Sequence, residues 1–171
     1  MDKYGRLPVW AAVESMSLGT LSMLYGNLDP GAGASGESKG VQASVAEAFG
    51  TKPHYLKSWV HHLTTVRNIA AHHDRFYNRV MTICPSLLKR DERCIRLQDA
   101  SKQFPTFLVI RRIYEKSWPG EWTSLRDELA SCVERHPSVN LAPMGFPKAG
   151  VVPSASRSFG AFAPVPRAGI K

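Results

Sequence analysis

The chain has 171 residues, enough for one domain with a real core, and 43% hydrophobic against 21% charged residues is the balance of a folded protein. The longest uncharged stretch, Ser15 to Leu28, is fourteen residues with hydroxyls and glycines, too short and polar to span a bilayer, and Glu14 cuts the apolar run that a secretory signal would need. Three cysteines leave no paired framework and suit reduced thiols in a cytoplasm, so membrane and disulfide-scaffold classes are excluded. The net charge is +8, and half of it lies after Pro137, where Lys148, Arg157, Arg167 and Lys171 face no acidic residue. A basic surface favours polyanions such as nucleic acid, though it does not demand them.

In chain order, Trp10, Val13, Ser17, Leu21, Leu24 and Leu28 recur at spacings of three and four, which predicts one helix from Pro8 to Leu28 with a mostly apolar stripe. Gly31 to Gly40 is a small-residue linker. It contains a formal GxGxxG at Gly31–Gly36, but no strand precedes it and no βαβ pattern follows, so it reads as a flexible loop. Ser44 to Phe49 predicts a short helix with Ser44 and Glu47 as a capping box and Gly50 as its stop. From Pro53, the residues Leu56, Trp59, Val60, Leu63, Val66, Ile69 and Ala70 keep a helical period for about five turns.

After His73 the sequence Asp-Arg-Phe-Tyr-Asn-Arg either extends the helix or starts a new one, Pro85 breaks it, and Ser86 to Gln103 is charged and weakly patterned. Phe107 to Tyr114 could be a strand by its apolar run, but its helical neighbours favour a helix. Pro119-Gly120 is a turn, and Glu121 to Arg135 is a helix with Leu125, Leu129, Cys132 and Val133 inward. The expected fold is an all-α bundle of four or five helices over residues 1–148, followed by a disordered basic tail over 149–171 rich in proline, glycine, serine and alanine.

The polar density of RNIAAHHDRFYNR, Arg67 to Arg79, stands out at the end of an otherwise apolar-periodic helix. Asn68 and His72 fall about 40° apart on one face, whereas Arg67 and His72 are about 140° apart. Arginine and histidine so placed converge on one atom only if the helix distorts near His72 or a second copy faces it, which points to a site shared across a symmetric dimer. His61 and His62 are adjacent, with no cysteine or carboxylate at ligand spacing, so no metal site is expected. The four tryptophans read as core or interface residues.

The stretch SWVHHLTTVRNIAAHHDRFYNR, residues 58–79, resembles the signature of the Abi-like proteins, the AbiD/AbiF group of bacterial abortive-infection factors. LPVWAAVESMSLGTLSMLYGNL (7–28) resembles the helix before that signature, and Met144-Gly145-Phe146-Pro147 resembles its closing motif. That family lies in the HEPN superfamily, marked by Arg, a polar residue and a later His, here Arg67, Asn68 and His72. The resemblance implies a HEPN-like helical bundle that forms a homodimer and cleaves RNA without metal or other cofactor at the dimer cleft, as a phage-defence or toxin effector with a cognate antitoxin or phage trigger. In that reading His72 moves protons, Arg67 stabilises charge on the phosphoryl oxygens and Asn68 positions them, with His73, Arg75 and Asn78 as accessory residues. Asp74 stands where HEPN toxins controlled by nucleotidyl transfer carry tyrosine. The alternative is a catalytically inactive HEPN-like dimer that binds RNA or protein as a regulatory module.

Overall fold

The computed structural model describes residues 8–28, 40–136 and 138–147, and among them every regular element is helical. The glycine-rich Gly31–Gly36 segment and the tail from residue 149 lie outside the described residues.

The first apolar stripe is carried by two helices rather than one, α1 (Val9–Ser15) and α2 (Leu18–Gly26). Met16 and Ser17 take extended backbone angles, and the Ser17 hydroxyl accepts a hydrogen bond from the Thr20 N–H, capping α2. A serine that can satisfy an orphan amide in a non-helical conformation competes with continuation of the helix, and here the cap wins. Much of the stripe is exposed: Trp10, Val13 and Leu24 face solvent and α1 has no buried residue.

Helix α3 (Val41–Ala48) starts three residues before the expected position, capped by Gly40, and the Ser44 hydroxyl bonds back to the Gly40 carbonyl at 3.3 Å. Ser44 therefore lies inside the helix and the capping box does not form. The helix ends in a Schellman turn, with Gly50 at φ +64°, its N–H on the Glu47 carbonyl and the Thr51 N–H on the Ala46 carbonyl. Helix α4 (Pro53–Ala71) opens on proline, as the sequence predicts, and runs 19 residues. A short α5 (Lys89–Glu92), a 3₁₀ turn at Leu97–Asp99, α6 (Phe104–Ser117) and α7 (Glu121–Arg135) follow, and a 3₁₀ turn at Ala142–Met144 closes the described chain. The candidate strand is part of α6. The count exceeds four or five because the first helix is split and α5 is a single turn.

Helices α2 and α3 pack on α4, and α6 packs on both α4 and α7. Adjacent residues of α6 face opposite ways. Val109 joins Tyr25, Ala46, Leu56 and Trp59 in one apolar cluster, while Phe104 and Leu108 join Trp122, Met144 and Phe146 in a second. Gly145, at φ +85° between Met144 and Phe146, turns the closing motif so that both side chains enter the core. On α7 the inward anchor is Trp122. Leu129 is half-buried, but Leu125 and Cys132 are exposed, a narrower buried face than the spacing predicts.

Candidate functional site at the end of helix α4

The first half of the signature segment is structural. The irregular chain after α4 has backbone groups that no helix can satisfy, and α4 supplies partners from its side. Trp59 Nε1 donates to the Ser86 carbonyl at 2.7 Å, and the Ser86 N–H donates to Ser58 Oγ at 2.8 Å. His62, fully buried, sits 2.5 Å from the Ile83 carbonyl through Nδ1 and 2.8 Å from Thr106 Oγ1 through Nε2. A carbonyl can only accept, so Nδ1 carries the proton and Nε2 accepts from the threonine. Burial pushes the His62 pKa below the ordinary histidine value, a shift opposed by the Ile83 bond and reinforced by neighbouring His61. Among the described residues no group of three or more His, Cys, Asp or Glu could hold a metal ion.

The second half is exposed. Arg67, Asn68, His72, His73 and Arg75 all face solvent, and Arg67 Nη1 donates to Asn68 Oδ1 at 3.3 Å. His72 is the C-terminal cap, with its N–H on the Asn68 carbonyl at 3.0 Å. The helix then ends in the same Schellman turn as α3. The His73 N–H bonds the Ala70 carbonyl at 3.2 Å and the Asp74 N–H bonds the Ile69 carbonyl at 2.9 Å. Glycine is the usual residue at the left-handed position of this turn, yet His73 occupies it at φ +54°. The helix is therefore terminated, rather than bent, at the histidine pair.

The loop beyond is tied down by contacts at Phe76, Tyr77, Arg79 and Met81. Phe76 packs edge-on to Phe107, with ring centroids 6.4 Å apart. The Tyr77 hydroxyl donates to the Asn140 carbonyl at 2.8 Å and accepts from the Asn140 N–H at 3.3 Å. Gln103, fully buried, donates to the Arg79 carbonyl, and the Met81 N–H donates to the Ser101 carbonyl at 2.8 Å. Asn78 also adopts a left-handed conformation, φ +51°, which asparagine tolerates. The tie at the helix end is Arg79 to Asp74, 3.4 Å, while Arg75 makes no ion pair or hydrogen bond among the described residues. Tyr77 and Gln103 are thus loop anchors that periodicity does not reveal, since their partners lie 63 and 24 residues away.

Within one copy the structure brings Arg67 and Asn68 into contact and leaves His72 beside them at the helix terminus with no bond to either side chain. These groups can stabilise an anion and exchange a proton, and no burial sequesters them from a large ligand.

No curated protein and no solved structure matches the chain significantly. The model of the Abi-like protein family matches residues 1–78, which takes in α1 to α4, the exposed cluster and the first anchors of the loop. Over that span, a little under half of its length, the chain is similar to the Abi-like family.

Proposed function

We propose that this protein is a metal-independent endoribonuclease of the HEPN type, the effector of an abortive-infection or toxin system. The Abi-like match suggests the abortive-infection role. The observation that carries the catalytic reading is the cluster at the end of α4, where Arg67 and Asn68 are held together beside His72 and all three are exposed rather than used by the fold. A ribose 2′-hydroxyl attacks the adjacent phosphorus, the bond to the 5′-oxygen of the next nucleotide breaks, and a cyclic phosphate and a 5′-hydroxyl result. Such a reaction needs a base for the 2′-proton, an acid for the leaving oxygen and a cation for the phosphoryl charge. His72 and its copy across a dimer serve as base and acid, and Arg67, steadied by Asn68, serves as the cation.

The test is cleavage of labelled RNA by wild type and variants, each checked by circular dichroism. Cleavage should persist in EDTA and spare DNA. His72→Ala should lose about a hundredfold or more, and Arg67→Ala a comparable amount, about 3 kcal/mol. Asn68→Ala should lose less. Robust cleavage by folded His72→Ala refutes the assignment. A second reading, a regulatory dimer without turnover, is favoured by the missing bond between His72 and its neighbours. It predicts RNA or protein binding by wild type with no cleavage of any RNA.

A further inference from the structure

A cleft of about 170 Å³ opens on the other half of α4, beside Trp59. Thirteen residues separate Trp59 from His72, about 20 Å along the helix, so the cleft is distinct from the exposed cluster. Its apolar part is Phe49, Trp59 and Leu88. Its polar part is Arg90, Arg112, Glu115 and Lys116, three cations against one carboxylate.

The polar wall is fixed before any ligand arrives. Arg112 grips Asp91 through Nε at 2.9 Å and Nη2 at 2.5 Å, and its Nη1 meets Glu115 Oε2 at 3.1 Å. Glu115 Oε1 also accepts from Arg111 Nε at 2.6 Å. Two bonds leave part of the carboxylate's capacity of about four lone-pair sites open to a donor. The two remaining cations are not consumed by the fold. Arg90 and Lys116 are exposed and form no ion pair among the described residues. The Lys116 stem lies across Gly50, whose missing Cβ would sit 3.4 Å from Lys116 Cγ and Cδ, so the ammonium is carried on a supported side chain.

We propose that this cleft binds a nucleoside monophosphate. The volume falls below the roughly 300–1,000 Å³ of sites that enclose whole drug-sized ligands, so it admits a planar ring while the remainder stays at the mouth. A floor of half-buried Phe49 and Leu88, backed by the buried Trp59, suits the faces of such a ring. Beside the paired Arg112, the Glu115 carboxylate keeps acceptor capacity, which favours a heterocycle with a donor at its edge over a plain hydrocarbon. Arg90 and Lys116 supply positive charge where the phosphate then lies.

Calorimetric titration of the full chain with the four common nucleoside monophosphates, with a nucleoside and with inorganic phosphate tests this. At least one nucleotide should bind well below about 1 mM, and both the nucleoside and phosphate alone should bind at least tenfold more weakly. Arg90→Glu and Lys116→Glu should each weaken the nucleotide tenfold or more with unchanged circular dichroism, while His72→Ala leaves its affinity unchanged. The last arm separates this site from the proposed nuclease, which stands or falls on RNA cleavage. Absence of saturation by any nucleotide, equal affinity for inorganic phosphate, indifference to both charge reversals, or loss of binding in His72→Ala would each overturn the proposal.

Discussion

His73 sits at φ +54° in a turn whose counterpart at the end of α3 uses Gly50 at φ +64°. The same hydrogen-bond pattern is thus built once with the residue that suits it and once with one that does not. A side chain in the left-handed region costs about 1–2 kcal/mol relative to glycine, and such strain gathers where a side chain is needed for something other than folding. His73→Gly should therefore stabilise the protein by about 1 kcal/mol, a rise of about 3 °C in Tm for a chain of this size, and it should lower RNA cleavage if the imidazole serves the site. A fall in Tm would show that the His73 side chain contributes to the fold. His62 presents the opposite case, an imidazole wholly absorbed by structure. Its folded pKa lies below the unfolded value of about 6.5, so its contribution is complete above that pH and declines as the pH falls towards the folded pKa. Urea unfolding at about pH 7.5 and 5.5 should show a loss of up to about 1.4 kcal/mol per unit from this group. His62→Gln, less stable throughout, should have a shallower acid slope, and an unchanged slope would assign the effect to other groups.

At the scale of elements, legibility followed the range of the forces involved. The start of helix α4 and both ends of helix α7 could be read almost to the residue, because Pro53 and Gly120 punctuate them and their apolar spacing is local. The candidate strand resolved as α6 for the same reason. The break at Ser17 was hidden, since periodicity continues across it while one side-chain cap redirects the backbone. The stretch between α4 and α6 was illegible because long-range polar bonds hold it, from Ser58, Trp59 and His62 on one side and from Gln103 on the other. The proposed site could be named as a list, Arg67, Asn68 and His72, but the sequence could not show that the helix stops at the histidine pair. Helix α5 illustrates how much one distant bond carries. It is four residues long, far below what holds itself together in water, and Asp91 on it is buried in a two-point bond with Arg112 of α6. Burial alone lowers the Arg112 pKa, but Asp91, followed by Glu115, outweighs it and raises the value, which keeps the guanidinium charged. Asp91→Asn should cost about 3 kcal/mol by leaving that charge undercompensated. Asp91→Leu combined with Arg112→Met should recover most of it, as chemical denaturation would show. A double variant no more stable than the single one would mean that the pair shapes the segment by geometry rather than by compensating charge.

For the whole molecule, the unburied apolar surface of the first two helices is the largest feature the single chain does not explain. Val9 and Trp10 on α1 are 78% and 66% exposed, Met23 on α2 is 71% exposed, and Val13 and Leu24 are exposed as well. Helix α2 runs antiparallel to α4, with Leu18 and Gly19 beside Thr64 and Gly26 beside Lys57, so the chain enters α2 from the end of α4 that carries Arg67 to His72. The apolar surface of α1 and the polar cluster therefore belong to the same end of the bundle. A face of this kind in a stable protein is normally covered, and a second copy would both bury it and supply the facing Arg67, Asn68 and His72 that one copy lacks. The protein is expected to sediment as a homodimer at micromolar concentration. Trp10→Glu should shift it to monomer and remove RNA cleavage together, while circular dichroism stays unchanged because the Trp10 side chain is largely exposed within its own chain. Mixing folded His72→Ala with the Trp10→Glu chain should not restore cleavage, since the second cannot pair. A wild-type monomer, or a Trp10→Glu protein that stays dimeric and active, would place the interface elsewhere and leave the cluster to work, if it works, as a single copy.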